Sequence, residues 1–516
     1  MMQAHFYGLA AFQELGLMWD AFYPEGDPHA DGRERPVLHA QAIVDEHAAT
    51  GIVVLVEGAR YECEVRTIKP VLARSREGGK GTRPLARRAV LLALHRLLQR
   101  RTGRALPWGV LFGVRPGKLL PILMRAHTDS GVAASAPGEL TEGAIGNTLR
   151  TLVDDYAIRR DRAALLVEVA VNERRALPDL YQIGREVSVY VGIPFCPTHC
   201  AYCTFPAYSM VDKARYAVPF MSALEREIRA VGEALKACRL AVTTVYVGGG
   251  TPTSLMAGEL ERLLLALTRH LPGAGKWREF SVEAGRADTI TPDRVRVMKE
   301  AGVNRVSVNP QTFHDATLKR VGRGHSSAIV DKRFALCRAA GFTNINMDLI
   351  MGLPGETPDD ARYSLLRTLA LAPDSVTVHT LSYKRGAAVT RANAADDAPP
   401  PDAVAAMLDL AEQELRRGGY QPYYLYRQKD ILAGRENIGY ARPGKEGLYN
   451  IAIIEEAQTI VALGGGGASK WRDPGCGAIA RTANAREPSA YVAHIDRIIA
   501  DKRSRIEVLA KKSGLI

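Results

Sequence analysis

Between residues 187 and 379 the chain changes six times from a short apolar, β-branched run to a longer stretch of helical period. The runs 187–193, 243–247, 280–283, 305–308, 345–350 and 375–379 read as strands, and segments such as 214–236, 260–270, 326–340 and 359–371 read as the helices between them. Strands that alternate with helices in this way predict repeated βα units and a parallel sheet.

Directly after the first of these strands stand three cysteines in eight residues, Cys196-Pro-Thr-His-Cys200-Ala-Tyr-Cys203. Thiolates bind soft metal ions and iron–sulfur clusters. A closed four-iron cluster takes four protein ligands, so three would leave one iron with an open position. An open position on a metal centre points to chemistry rather than scaffolding. The alternative is a zinc knuckle, which calls for a second cysteine pair or two histidines. Cys63, Cys238, Cys337 and Cys476 are scattered and read as small apolar residues, and His199 alone inside the motif adds little.

A length of 516 residues suggests two to four domains, and 47% hydrophobic with 24% charged residues is ordinary for a globular chain. Seven cysteines, an odd number, do not form a secreted disulfide framework. The start of the chain lacks the basic and apolar regions of a signal peptide, and no apolar run reaches the ~18 residues of a membrane span. A cytoplasmic enzyme in a reducing, low-oxygen compartment is expected.

The net charge of +12 is concentrated: residues 60–125 hold 16 Lys/Arg and 3 Asp/Glu. Such a block attracts polyanions, or else forms a solvated helix face. Residues 85–101 alternate apolar and basic positions at helical spacing and predict an amphipathic helix with a basic outer face. No aromatic platform accompanies it, so no nucleic-acid partner is expected.

Four regions follow along the chain. Residues 1–150 form an N-terminal α+β extension, with strands at 53–56 and 61–68, the basic helix, a structured loop at 107–118 and a polar connection at 127–146. A helical connection occupies 151–184, within helical pattern that runs from about 147 to 175. The βα core spans 185–385. The C-terminal region, 386–516, opens with an Ala/Asp/Pro-rich linker at 387–403, followed by a helix at 403–417 and a tyrosine cluster. Gly464-Gly-Gly-Gly467 is either a tight turn or a close approach to a cofactor.

Polar residues recur at the strands' carboxyl ends. The second strand runs into Gly248-Gly-Gly-Thr-Pro-Thr253, the third ends at Glu283, the fourth leads to Gln311 and then Arg323, and the fifth carries Asp348. Singly, each is as readily a surface group or a cap. The cysteine spacing and the glycine run, however, resemble the radical S-adenosylmethionine (radical SAM) superfamily. The order of Tyr190, the cysteines, Glu283, Gln311, Arg323 and Asp348 resembles its oxygen-independent coproporphyrinogen III oxidase family.

This resemblance implies a partial TIM barrel of about six βα units with its active site at the strands' carboxyl ends. It implies that Cys196, Cys200 and Cys203 ligate a 4Fe–4S cluster. Tyr190, Gly249 and Glu283 then contact S-adenosylmethionine, and Tyr202, Gly250, Thr251, Gln311, Arg323 and Asp348 line the rest of the cofactor cavity, which holds one such molecule or two. No catalytic side chain is assigned beyond the cluster ligands.

Small departures separate three branches of the family. The oxidase proper has a further cysteine where Phe205 stands. The heme-chaperone branch has His-Asn-x-x-Tyr-Trp where this chain has Glu436-Asn-Ile-Gly-Tyr-Ala441. The HemZ-type, coproporphyrinogen dehydrogenase-like branch has a long N-terminal extension, and residues 107–116, 423–429 and 436–441 resemble it. The implied reaction is oxidative decarboxylation of two propionates of coproporphyrinogen III to vinyls, giving protoporphyrinogen IX. It uses an electron donor such as flavodoxin or ferredoxin and an outside acceptor. The alternatives are a heme-trafficking protein with little turnover, a radical SAM enzyme acting on another tetrapyrrole and, more weakly, a tRNA-modifying enzyme.

Overall fold

The computed structural model describes residues 3–7, 13–23, 37–44, 48–57, 59–69, 83–113, 115–128, 141–180, 185–384, 387 and 397–516. The chain divides into two compact units, Met1–Val171 and Asn172–Ile516.

The first unit is built on a four-stranded sheet. Strand β1 (Gln3–Tyr7) runs parallel to β2 (Val37–Val44), and β3 (Ala49–Glu57) and β4 (Arg60–Ile68) follow antiparallel. Burial alternates along β3, as expected of a strand with one covered face. The helix Arg83–Thr102 covers that face so closely that a Cβ on Gly51 would lie 2.3 Å from the carbonyl carbon of Ala89.

This helix buries its leucines, and several of its basic residues have partners. Leu91, Leu92, Leu94, Leu97 and Leu98 are buried, and so are Arg88 and His95. Arg101 pairs with Glu57 and Glu62, Arg100 with Glu64, and the Arg88 guanidinium lies 4.5 Å from the ring centre of Tyr156. The arginines at these positions answer carboxylates of the adjoining strands and a buried ring, which counting charges along the chain does not show. The helical pattern expected over 147–175 forms two helices, Glu142–Asp154 and Arg160–Ala176. They are separated at Ala157, whose φ of 51° departs from the helix.

In the second unit β5 (Glu186–Ile193), β6 (Ala241–Gly249), β7 (Glu279–Glu283), β8 (Arg305–Ser307), β9 (Ile345–Met351) and β10 (Ser375–Thr380) lie side by side in chain order, all parallel. These are the six strands read from the sequence. The region after residue 386 enlarges the same sheet at both edges. Beyond β10 come β11 (Gln421–Tyr426) and β12 (Asn437–Ala441), with β12 antiparallel to β10. Beyond β5 come β13 (Thr459–Gly464), parallel to it, then β14 (Ala468–Arg472) and β15 (Ile479–Ala483) as an antiparallel meander. The sheet runs from β11 to β15, and no pairing among the described residues joins its ends.

Consecutive parallel strands require helical crossovers, and each helix buries one stripe. In the helix Ala257–His270 the stripe is Leu260, Leu263, Leu264 and Leu267. Its first turn is capped by Glu259, which accepts from the Met256 backbone N–H at 2.8 Å. The helix Pro358–Ala370 starts with a reciprocal Thr357–Asp360 capping box. The proline run at 399–401 leads into the helix Pro401–Arg417, while residues 388–396 of the expected linker lie outside the described residues. Gly464–Gly467 forms the turn between β13 and β14.

Candidate active site

The cysteine loop leaves β5 through Pro194 and Phe195 and is closed at its neck by a bridge. The Cys196 N–H donates to the Tyr208 carbonyl at 3.0 Å, and the Tyr208 N–H to the Pro194 carbonyl at 2.8 Å. Cys196 and Cys200 are buried, Cys203 is half-buried and His199 is exposed. No three His, Cys, Asp or Glu side chains among the described residues converge as ligands of a single ion would. The thiols of Cys196 and Cys200 are nonetheless near enough for their charge to raise the pKa of Cys203, after the larger effect of burial. Three sulfur donors gathered in one loop are the ligand type of an iron–sulfur cluster.

The neighbouring strands hold this loop. The Thr251 N–H donates to the Phe195 carbonyl at 2.8 Å and the Gly250 N–H to the Ile193 carbonyl at 2.7 Å. The Thr251 hydroxyl lies 3.2 Å from Cys196 Sγ. Gly249 has φ +105°, which a side chain rarely tolerates, and a Cβ on Gly250 would stand 2.4 Å from the Phe195 carbonyl oxygen. The glycine run is therefore a demand of the loop's own packing. From below, the Ala201 N–H donates to the Val321 carbonyl and the Thr198 hydroxyl to the Gly322 carbonyl.

Glu283 ends β7. Burial pushes its carboxyl up to about 8, and the negative charge of Asp348 adds to this. Asp348, on β9, moves the other way. Burial would raise its pKa, but His379, 3.7 Å away, and the Asn346 amide, 2.7 Å away, outweigh that and hold it below its usual value. Gln311 follows β8 with φ +68°, a left-handed conformation unusual for a side-chain-bearing residue. Its backbone bonds on both sides of Leu349, donating to the Asp348 carbonyl and accepting from the Ile350 N–H, each at 2.9 Å. Its buried Oε1 has no hydrogen-bond partner among the described residues. A strained backbone that carries a buried, partnerless acceptor points to a binding role.

Arg323 is buried and its fork is occupied. It donates to Tyr202 Oη at 3.0 Å, to the Asn309 carbonyl at 2.6 Å and to the Gly285 carbonyl. It thereby ties the cysteine loop, through Tyr202, to the ends of β7 and β8. Tyr190 lies on β5 in register with Tyr246 on β6. Their rings stack with that of Tyr449, with centroids 4.6 Å apart for Tyr246–Tyr449 and 6.1 Å for Tyr190–Tyr246.

All twelve residues singled out from the sequence thus belong to the sheet or to the loops at its carboxyl ends. Several neighbours were missed. Tyr449 comes from the helix Leu448–Glu455, far along the chain, and its buried hydroxyl has no partner among the described residues. His379 and Tyr426 flank Asp348 from β10 and β11, and the Tyr426 hydroxyl lies 3.4 Å from His379 Nδ1. Arg286 and Asp288 sit beneath the cysteine loop. Arg286, a charge three residues beyond the end of a strand, and His379, the last residue of the sixth strand read from the sequence, left signals that could have been read.

Residues 190–366 match the Radical SAM superfamily. The chain is 42% identical over 418 residues to the oxygen-independent coproporphyrinogen-III oxidase-like protein HemZ of Bacillus subtilis (strain 168), covering 81% of this chain and 80% of that protein. It is 30% identical over 273 residues to the heme chaperone HemW of the same organism, covering 52% of this chain and 68% of that one. Among solved structures, the coproporphyrinogen III oxidase HemN of Escherichia coli shares the fold, with a TM-score of 0.50 and 24% identity over 63% of this chain and 71% of that one.

Fold and thiol loop together define a radical SAM protein. Within that superfamily the chain belongs to the family of oxygen-independent coproporphyrinogen-III oxidase-like proteins, of the HemZ type. Such a domain implies a 4Fe–4S cluster and S-adenosylmethionine. No helix among the described residues is long and apolar enough to cross a membrane.

Proposed function

We propose that this protein is a radical SAM enzyme that oxidatively decarboxylates two propionates of coproporphyrinogen III, giving protoporphyrinogen IX without oxygen. One observation carries the reading: a loop of three thiols and the partnerless Gln311 Oε1 stand at the carboxyl ends of one parallel sheet. The similarity to HemZ along most of the chain supports it.

Cys196, Cys200 and Cys203 would ligate the cluster. Tyr190, Gly249 and Glu283 would contact S-adenosylmethionine, and Tyr202, Gly250, Thr251, Gln311, Arg323 and Asp348 would line the remaining cavity, where one or two such molecules bind. When bound, the cluster and S-adenosylmethionine would supply one-electron, radical chemistry for removing hydrogen at the carbon β to a carboxylate. The chain's own residues bind and orient. A Glu283 carboxylate accepts from an ammonium group, and it gives up its proton to do so, because burial otherwise keeps it protonated to about pH 8. Asp348, held ionised by His379 and Asn346, accepts from hydroxyl or amino donors. Gln311 Oε1 accepts one more. Flavodoxin or ferredoxin serves as electron donor, and a reducing cytoplasm suits the thiol ligands.

The HemW relatives raise a second reading, haem trafficking. The position where that branch carries its histidine works against it. Glu436 is buried here beside Arg435, with 3.3 Å between Oε1 and Nε, and a carboxylate so placed is no substitute for an axial imidazole.

The test is anaerobic reconstitution with iron and sulfide, followed by S-adenosylmethionine, coproporphyrinogen III, a reductant and an electron acceptor, with products read by mass spectrometry. The expected result is loss of two carbon dioxides in step with 5′-deoxyadenosine. If 5′-deoxyadenosine forms while the porphyrinogen stays intact, the substrate is wrong. Stoichiometric haem binding without turnover would favour trafficking.

A further inference from the structure

We propose that Arg286 is an outer-sphere donor to the cluster ligand Cys200 and raises the potential at which the cluster takes up its electron. This rests on the cluster reading above and adds a residue that the family resemblance did not mark.

Arg286 lies just past β7 and is 2% exposed. Its Nη1 donates to the Thr198 hydroxyl at 2.7 Å and to Cys200 Sγ at 3.8 Å, so one nitrogen addresses both the loop and its ligand. The other edge of the guanidinium is clamped by Asp288, with Nε to Oδ1 at 3.1 Å and Nη2 to Oδ2 at 3.0 Å. His325 Nδ1 lies 3.6 Å from Asp288 Oδ1. Gly324 passes so near that a Cβ there would stand 3.1 Å from Nη2. The guanidinium therefore has one orientation, with a donor aimed at sulfur.

A purely structural arginine would need only Asp288 and Thr198. The contact with sulfur gives it an electrostatic consequence. Reduction adds one negative charge to a cluster, and hydrogen bonds to its sulfurs are among the features that set its potential. A buried donor fixed on one thiolate favours the reduced state. Arg323 faces the same sulfur while its Nη atoms bond two carbonyls and Tyr202, so it is a brace of the loop as well as a second cation at Cys200. Arg286 is thus a positioning and tuning residue.

The experiment is a redox titration of the reconstituted full chain without S-adenosylmethionine, using dithionite and mediator dyes as the electron source. Electron paramagnetic resonance reports the reduced cluster. Arg286→Met is expected to keep its iron but lower the reduced-to-oxidised ratio at a fixed potential about tenfold, or about 59 mV for a one-electron couple. A ratio within about twofold of wild type in an iron-loaded variant would overturn the proposal. Should Arg286→Met fail to take up iron, Arg286→Gln, shorter yet able to bond Thr198, gives the same readout. Loss of the cluster from both variants would overturn the tuning role in favour of a scaffold role. A wild-type chain that takes up no iron would instead sink the proposed function.

Discussion

Replacing Lys502 by Met should destabilise the second unit far more than an ordinary surface change. Glu227, on the helix Met210–Ala237 that follows the cysteine loop, is 0% exposed. Its carboxylate accepts from Lys502 Nζ, from Tyr491 Oη at 2.6 Å, from the Gly464 N–H at 2.8 Å and from Asn484 Nδ2 at 3.2 Å. Lys502, 2% exposed, lies on the C-terminal helix Ile495–Lys512. Methionine keeps most of the lysine's aliphatic length and removes the ammonium, leaving a buried carboxylate without its counter-charge. Breaking a buried pair from one side costs about 3–5 kcal/mol. For a unit of about 350 residues, an unfolding entropy of ~2.1 cal/mol/K per residue gives about 0.7 kcal/mol/K. The melting temperature should then fall by about 4–7 °C, read by differential scanning calorimetry of the full chain. Adding Glu227→Gln should recover more than half of the loss, because the buried charge is then gone. A Lys502→Met variant that melts within about 1 °C of wild type would show that the pair contributes no such energy, and the reasoning would fail.

Three further outcomes follow from the site. Since the folded pKa of Glu283, about 8, lies above its usual 4.5, the unfolded chain binds fewer protons between those values, and stability falls as pH rises through that window. Glu283→Gln should flatten this decline in thermal melts from pH 5 to 8.5, and an equal slope would refute the assignment. At pH 7, S-adenosylmethionine should release close to one proton on binding, measured by calorimetry in buffers of different ionisation enthalpy, and Glu283→Gln should abolish the release. Gly250→Ala would push a methyl group to 2.4 Å from the Phe195 carbonyl and 2.9 Å from that of Pro206. It should cut iron bound per chain severalfold with little change in far-ultraviolet circular dichroism, whereas Cys63→Ser and Cys476→Ser, at exposed positions, should leave iron content unchanged.

The βα core and the cysteine loop were legible because both are local in sequence. A buried parallel strand writes itself as an apolar run, its crossover helix as a 3.6-residue pattern, and three ligands within one loop need no folding to be counted. The polar residues at strand ends were legible for a related reason: across β5 to β10 chain order is also spatial order. What the tertiary structure alone decided is which distant groups complete these environments. Arg100 and Arg101 look like part of a free basic face until β3 and β4 supply carboxylates to them. The stack of Tyr449 on Tyr246 joins segments about 200 residues apart, and the C-terminal strands join both edges of the core sheet. Gln311 was visible as a polar residue, but its left-handed backbone and partnerless oxygen were not. Charge, stacking and hydrogen bonding act over a few ångströms in space, whatever the separation along the chain.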